Sequence, residues 1–320
     1  MNNLDHRPHD YSETDLYPRP SHADFTYLEK YGVKASSGGG RSSARETIGG
    51  VIQTDPATSC TNIILAGRVA AGAIAEKFLS VTHGTEIVAF VSSVGNVYMP
   101  LCDPKELDFD DSLLDEAEDS EAIKSYMNKW QEYWKLLDTV TRENVDESEV
   151  RCPDLPVSEK MKNRILRAKN GQNSIGGTVT CVIRNPPLGL GEPVFDKLEA
   201  KLAQAMMSIP ATKTFEIGSG RIGTTMPGSL HNDKFTRLDN GNLGTDTNFS
   251  GGVQVGSFAS PLPELNLIDN FSNATSPGWN IQRMSYILYG FLQTTRHNRL
   301  APEDINVRWF ARGFGCKRTP

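Results

Sequence analysis

The sequence has 320 residues, with 33 basic and 39 acidic side chains, a formal net charge of −6 and 38% hydrophobic residues. This length predicts one large domain or two, with enough chain to bury a sizeable core. The acidic balance argues against a nucleic-acid partner, because proteins that bind the phosphate backbone usually carry a basic surplus.

The cysteines and the apolar stretches predict the compartment. Five cysteines, at positions 60, 102, 152, 181 and 316, form no C-x-x-C pair, and their odd number is not typical of a disulfide framework. The most apolar stretch, residues 63–79, is interrupted by Arg68, Glu76 and Lys77, which argues against a membrane span. Residues 1–7 lack the apolar core of a signal peptide. We therefore expect a soluble cytoplasmic protein with no membrane partner.

The first 80 residues predict a loop followed by an interrupted helix. Residues 1–40 are polar and rich in turn-forming residues. A helix is predicted from Ser42 or Ser43, because Glu46 stands at capping-box spacing from Ser43. Helical composition resumes at residues 68–79, whereas residues 50–67 show no helical period. The pattern predicts a helix broken by a foreign segment.

The middle of the chain predicts mixed α and β structure. Met127, Trp130, Trp134 and Leu137 follow the spacing of a buried helical stripe, so we assign them to the core. The stretch after about residue 256 is rich in Pro and Asn and has little periodicity. We predict strands over 86–97, 178–183 and 214–217, helices over 121–140 and 194–207, and an acidic surface loop or frayed helix over 103–121.

Residues 218–223 match the pattern G-x-G-x-x-G directly after a predicted strand. The residues that follow, Thr224 to Gly228, predict a turn, whereas a dinucleotide-binding unit needs a helix that directs its amides at the pyrophosphate. We therefore favour a glycine-rich loop, with an NAD-dependent dehydrogenase as the alternative.

A second glycine-rich stretch, residues 38–45, has the composition of an anion site. It combines a flexible glycine loop with two hydroxyls, Ser42 and Ser43, and two guanidiniums, Arg41 and Arg45, at a predicted helix start. The alternative is a capped helix with solvated arginines. The upstream Arg19-Pro-Ser-His22 stretch favours the anion site, because it adds another guanidinium and a titratable imidazole.

Several long strings closely resemble the chorismate synthase family, which catalyses the last step of the shikimate pathway. They lie at residues 7–11, 19–24, 38–47, 68–73 and 248–254, in the order expected of that family. The resemblance runs from about residue 3 to residue 254, excluding residues 50–67, and the acidic insert and the Trp-rich helix look like fungal versions. It implies an α+β fold, the chorismate synthase-like β-α-β sandwich, as a single large domain that assembles into a homotetramer.

The resemblance also implies an activity and its residues. The reaction is an anti-1,4-elimination of phosphate from 5-enolpyruvylshikimate 3-phosphate to give chorismate, with reduced FMN as cofactor. In fungal-type members NADPH is a further cofactor, as the reductant of FMN. The implied roles are FMN binding by Arg41, Ser42, Ser43, Pro210, Ala211 and Gly256, substrate binding by Arg19 and Arg45, and proton donation by His22.

Three departures from the family pattern predict a damaged chain. The family's amino-terminal Gly-Glu-Ser-His-Gly string, with its second catalytic histidine, is not found, so we expect a chain truncated at its amino terminus. Residues 50–67 look like an unspliced intron that keeps the reading frame. Shifting the frame by one base within residues 278–298 restores two further family strings, which indicates a frameshift after about residue 254. We therefore expect a chorismate synthase-like domain over 1–254 and an unfolded, aberrant tail over 255–320. A catalytically inactive fragment with at most partial FMN binding is the alternative function.

Overall fold

The computed structural model describes residues 24–32, 60–171, 173–192, 194–209, 212–237, 243–252 and 264–274. The chain divides into two compact units, Met1–Ala71 and Gly72–Pro320. The described part of the first unit contains helix α1 (Asp24–Tyr31) and the first half of helix α2 (Cys60–His83). The second unit contains the rest of α2 and all other described elements.

The prediction that residues 50–67 interrupt a helix is wrong for residues 60–67, which belong to helix α2. The helix begins at Cys60, so residues 60–67 are helical, although the sequence predicted no helix there. The physical reason is that residues 60–67 contain no proline and a single glycine, and extending an existing helix is far easier than starting one. Residues 50–59 and the predicted capping box at Ser43 and Glu46 lie outside the described residues.

The second unit alternates helices with antiparallel strands. Its elements are β1 (Glu86–Val94), β2 (Val97–Tyr98), α3 (Pro104–Leu107), α4 (Glu121–Thr139), α5 (Arg142–Asp146), α6 (Leu155–Asn170), β3 (Ile175–Arg184), α7 (Leu198–Met207), β4 (Thr212–Ile217), β5 (Phe235–Arg237), β6 (Leu243–Thr245) and β7 (Glu264–Ala274). Short 3-10 helices occupy Asp111–Leu113 and Gly220–Thr224. This mixture of helix and sheet confirms the α+β class.

The predicted elements agree with the structure apart from their ends. The three predicted strands correspond to β1 with β2, β3 and β4, and the predicted helix 121–140 is α4. Helix α7 begins four residues later than predicted, because Val194 has a φ angle of 70°, which lies outside the helical region. Helix α6 was not predicted; Asp154 caps it by accepting a hydrogen bond from the amide of Val157 at 2.9 Å.

Five strands form one antiparallel sheet in the order β2-β1-β3-β7-β4. Strand β7 lies between β3 and β4, and Ile268 at its middle is opposite Thr180 on one side and Glu216 on the other. Helix α6 contacts β1 and β2, and α7 contacts β4. Strands β5 and β6 form a separate two-stranded ribbon.

Strand β7 falls in the stretch after residue 254 that the sequence predicted to be unfolded. The structure differs from that prediction for residues 264–274, which are a strand of the sheet. The local reason is a period of two, in which Leu265 and Leu267 alternate with Glu264 and Asn266. The remainder of the tail lies outside the described residues, and the domain boundary at 254 stays a prediction.

Residues of the sheet and of helix α4 both belong to the hydrophobic core of the second unit. Trp130 and Leu137 are fully buried, and Met127 and Trp134 pack against them, so the predicted stripe is confirmed. The indole Nε1 of Trp130 donates a hydrogen bond to the hydroxyl of Tyr126 at 2.9 Å, and that hydroxyl donates to the carbonyl oxygen of Leu107 at 3.1 Å. The buried polar atoms of Trp130 and Tyr126 are therefore paired.

Candidate functional site

The residues predicted to carry chemistry all lie outside the described residues: Arg19, His22, Arg41, Ser42, Ser43, Arg45, Pro210, Ala211 and Gly256. The structure does show what flanks three of them. Pro210 and Ala211 come directly before β4, and Gly256 comes four residues after Gly252. Strand β4 leads into a glycine turn at residues 218–225, and this turn contacts a second glycine turn at residues 247–252 to form the glycine junction.

The first glycine turn, residues 218–225, follows the end of β4. Gly218 and Gly220 have φ angles of 61° and 53°, in the left-handed region that favours glycine. A Cβ atom on Gly218 would overlap the carbonyl oxygen of Phe249 and the amide nitrogen of Gly251. Only glycine lets the two backbones approach so closely at this point.

The second glycine turn, residues 247–252, lies directly against the first. The amide of Ser219 donates a hydrogen bond to the carbonyl oxygen of Phe249 at 2.8 Å. Within the second turn, the amide of Gly251 donates to the carbonyl oxygen of Asn248 at 3.1 Å. Gly251 and Gly252 both have positive φ angles, of 62° and 76°.

His231 and Asp233, which the sequence analysis did not single out, hold the two turns together. Nε2 of His231 lies 2.7 Å from Oγ of Ser219 in the first turn, and its ring stacks on Phe249 of the second turn with centroids 5.2 Å apart. The carboxylate of Asp233 accepts three hydrogen bonds of 2.8 Å, from the hydroxyl of Thr247 and the amides of Phe249 and Ser250. In the sequence, these residues show only as a His and an Asp two positions apart, and this spacing does not reveal which residues they contact.

Phe249 anchors the junction to helix α4. Its side chain is 1% exposed and meets Trp130 and Trp134 edge to face, with ring centroids 5.1 and 5.0 Å apart. Edge-to-face aromatic pairs stabilise the folded state beyond the free energy gained by burying the rings. The glycine turns are thus attached to the rigid core of the second unit.

The first glycine turn is not built to bind a dinucleotide. Gly220–Thr224 is a 3-10 helix of 5 residues, whereas pyrophosphate binding needs an α-helix with free amides at its start. A carboxylate oxygen of Glu216 accepts the amide hydrogen of Arg221 at 3.2 Å, which places negative charge where a phosphate would have to lie. The guanidinium of Arg221 pairs with Asp108 at 3.1 Å. The geometry favours the glycine-rich loop over the dehydrogenase alternative.

Asn248 is the buried polar side chain of the junction whose hydrogen bonding is incomplete. It is 8% exposed, and its Oδ1 has no hydrogen-bond partner within the described part of the chain. Buried acceptors are normally paired, so this oxygen is suited to an N–H or O–H donor of a bound molecule or of water.

Three cysteines of the second unit are poor nucleophiles. Cys102, Cys152 and Cys181 are free thiols, and burial raises their pKa to about 12, 11 and 12. A thiol with so high a pKa is protonated at neutral pH and therefore unreactive.

Over the ranges that the structure describes, there is no group of three or more His, Cys, Asp or Glu side chains placed to hold a metal ion. None of the described helices combines the length and apolar character that a membrane crossing requires.

Comparisons with known proteins agree on one family. The family model for chorismate synthase matches residues 1–62 and 64–260. A chorismate synthase of Schizosaccharomyces pombe is 59% identical over 255 residues, which are 79% of this chain and 58% of the relative. A chorismate synthase of Neurospora crassa is 48% identical over 292 residues, which are 90% of this chain and 59% of that one.

A solved structure leads to the same family. A crystal structure of chorismate synthase superposes with a TM-score of 0.54 at 26% identity, covering 76% of this chain and 65% of that chain. The chain thus spans somewhat less than two thirds of the length of these relatives. The family match includes all the strings on which the resemblance was based. The chain belongs to the chorismate synthase family.

Proposed function

We propose that this chain catalyses the chorismate synthase reaction, the anti-1,4-elimination of phosphate from 5-enolpyruvylshikimate 3-phosphate. The observation that carries the proposal is the family match over residues 1–62 and 64–260, which contains every residue proposed for chemistry, together with 59% identity to a protein named chorismate synthase.

The reaction breaks two bonds and forms one double bond. The C–O bond breaks and its electron pair leaves with the phosphate, while a ring proton passes to a base. The electrons of the C–H bond form a new double bond, and the ring double bond already present in the substrate shifts to the carbon that loses the phosphate. There is no net oxidation or reduction. Reduced FMN, when bound, lends electron density transiently and thereby assists cleavage of the C–O bond.

The proposed residue roles follow from the charge of the substrate. Arg19 and Arg45 bind its phosphate and carboxylates, because a guanidinium forms paired hydrogen bonds with either group. His22 donates the proton that keeps the reduced cofactor in its productive protonation state. Arg41, Ser42 and Ser43 bind the FMN phosphate.

The donor set of the chain fits FMN. A glycine loop with the guanidinium of Arg41 and the hydroxyls of Ser42 and Ser43 suits the FMN phosphate. Within the described residues, Oδ1 of Asn248 has no hydrogen-bond partner, so it supplies an acceptor close in sequence to Gly256. We propose Gly256 as a further FMN contact, together with Pro210 and Ala211.

The proposal extends to assembly, cofactor supply and location. We propose a homotetramer, as the family resemblance implies, with NADPH as the reductant of FMN. We place the protein in the cytoplasm, because Cys102, Cys152 and Cys181 are free thiols, in keeping with a reducing compartment. The alternative, an inactive fragment with partial FMN binding, is not favoured by the high identity to named chorismate synthases.

A combined turnover and binding experiment tests the proposal. The 320-residue chain is incubated anaerobically with substrate and reduced FMN, and chorismate and inorganic phosphate are measured together. We expect the two products in equal amounts. His22→Ala is expected to lower kcat by about 100-fold or more, the usual contribution of a positioned proton donor.

His83→Ala is the matched control, because it removes the same imidazole from a residue outside every family string and should leave kcat unchanged. FMN binding is titrated in parallel by quenching of flavin fluorescence. Binding without any product would establish the inactive-fragment alternative. Absence of both binding and product would refute both functions.

A further inference from the structure

We propose that the ribbon formed by β5 and β6 is a docking surface for a second copy of this chain, and that it contacts the acidic segment, residues 111–119, of that copy. The inference concerns assembly and goes beyond the proposed reaction, on which it does not rest. Its basis is a ribbon whose apolar face points outward, together with a surface of opposite charge on the same chain.

The outward face of the ribbon combines apolar side chains with a cation. Phe235 is paired with Thr245, and Arg237 with Leu243, so these four side chains lie on one face of the ribbon. Phe235 and Leu243 are 54% and 53% exposed. Arg237 is also exposed, and it forms no ion pair within the described residues.

The opposite face of the ribbon is the more covered one. Gly244 is buried there and Thr236 is half-buried. An antiparallel sheet with one face in water normally turns its apolar side chains to the core and its polar side chains to the solvent. This ribbon has the reverse arrangement, and a two-stranded ribbon is only marginally stable by itself. Its apolar face is therefore suited to a partner other than the core of its own unit.

The base of the ribbon is attached to the glycine junction, which fixes the position of that face. The amide of Asp246 donates a hydrogen bond to the carbonyl oxygen of Lys234 at 3.3 Å and closes the ribbon at its base. The adjacent Asp233 accepts hydrogen bonds of 2.8 Å from the hydroxyl of Thr247 and the amide of Phe249. A surface that is held in place before binding loses less conformational entropy on association.

A second copy of the chain carries the surface that this face requires. The acidic segment contains five carboxylates and no lysine or arginine. All five residues are exposed and form no ion pair within the described residues: Asp111, Asp115, Glu116, Glu118 and Asp119. Leu114, in the middle of the segment, is 58% exposed. The segment thus combines an apolar side chain with negative charge, whereas the ribbon combines apolar side chains with positive charge.

The exposure of both surfaces favours a contact between copies over a contact within one. Phe235, Leu243 and Leu114 are each more than half exposed, so the ribbon and the acidic segment of one copy do not cover each other. The acidic segment is held in place as well, because the carboxylate of Asp110 accepts the amide hydrogen of Ser112 at 2.9 Å. In a dimer with two-fold symmetry, each ribbon contacts the acidic segment of the other copy, so the contact occurs twice.

Sedimentation velocity of the 320-residue chain, over a range of protein concentrations, tests this contact. We expect the unsubstituted chain to self-associate, and to do so less as salt rises, because salt screens the attraction between opposite charges. Arg237→Glu should raise the dissociation constant by at least about tenfold, because it places a carboxylate against carboxylates. Lys129→Glu is the matched control: it changes the net charge equally at an exposed position of α4 and should stay within about twofold.

A charge reversal on the other side of the contact supplies the second test. Asp115→Lys together with Glu116→Lys should weaken self-association when introduced without any other change. Combined with Arg237→Glu in one chain, the two substitutions should restore most of the affinity, because opposite charges face each other again with their signs exchanged. Such a rescue would not follow if Arg237→Glu acted by unfolding the ribbon. Circular dichroism of each variant checks that the second unit stays folded.

A chain that stays monomeric at every concentration, or one that associates equally well after Arg237→Glu, would overturn the inference. Failure of the combined charge reversal to restore association would also overturn it, because the ribbon would then have a different partner. Chorismate formation is a separate measurement, so these outcomes leave the proposed reaction untouched.

Discussion

At Gly218 and Gly251, two backbone segments approach so closely that neither position has room for a side chain. Both residues also have left-handed φ angles, so glycine is required there for two independent reasons. The neighbouring Phe249 fills the space beneath the turns and contacts two tryptophans. The junction therefore combines glycines, which leave room for the close approach of two backbones, with a large aromatic side chain that fills the space beneath them.

Replacing Gly218 by Ala is expected to lower the free energy of unfolding by about 2–4 kcal/mol. The left-handed conformation of a residue with a Cβ costs about 1–2 kcal/mol, and the overlap with Phe249 and Gly251 forces the turns apart. Urea unfolding, followed by tryptophan fluorescence, gives the measurement.

Gly228→Ala is the matched control, because a Cβ there would have no atom within 4 Å. It should change stability by less than about 1 kcal/mol. Equal effects of the two substitutions would contradict the close approach at Gly218.

Helix α4 is fixed at both ends by side chains that satisfy its free backbone groups. Ser120 caps the start by accepting a hydrogen bond from the amide of Ile123 at 3.3 Å. At the other end, Arg184 of β3 donates to the carbonyl oxygens of Leu137 and Val140 at 2.8 and 2.7 Å. The helix that supports the glycine junction is thereby tied to the sheet.

Arg184→Lys is expected to lower the free energy of unfolding by about 1–3 kcal/mol. Lysine lacks the planar fork that reaches several carbonyl oxygens and Glu86 together, so some of these acceptors lose their donor. Thermal unfolding, monitored by circular dichroism, checks this.

Glu86→Gln tests the ion pair of Arg184 alone. Glu86 is half exposed, so its loss should cost less than about 1 kcal/mol. If Glu86→Gln proved as damaging as Arg184→Lys, the ion pair rather than the helix end would be the source of the stability.

At the scale of the whole second unit, one five-stranded sheet organises the fold, and β7 is an interior strand of that sheet. Strand β4 pairs with β7 and through it with β3, so the order of the sheet depends on residues 264–274. Because β4 leads into the first glycine turn, the placement of β7 also bears on the candidate site.

Ile268→Pro is expected to destabilise the second unit by about 2 kcal/mol or more. Ile268 has a neighbouring strand on each side, so its amide faces a partner whichever way it points, and proline removes that donor. Amide hydrogen exchange of β3 and β4 should accelerate in the variant.

Glu264→Pro is the control, because proline is tolerated at the first residue of a strand. Slow exchange of β3 and β4 in both variants would show that β7 is not part of the sheet, in line with the unfolded tail that the sequence predicted.

Three features show which parts of the structure could be predicted from the sequence and which could not. The stripe of Trp130 and Leu137 was predictable, because helical periodicity marks a buried face directly. The roles of His231 and Asp233 were not, because their partners stand 12 to 18 residues away in sequence and are joined only by the folded chain. Strand β7 was missed because the prolines and asparagines around it outweighed a short alternation.

The sequence by itself determined the family, the α+β class and most of the elements, since long ordered strings and local periodicity carry that information. It also determined the candidate flavin and substrate residues, which remain proposals. Only the tertiary structure decided that the two glycine turns meet, that Glu216 and a short 3-10 helix make the first turn unsuited to a dinucleotide, and that one segment holds both turns. The reason is that these properties depend on contacts between distant parts of the chain, which no local pattern specifies.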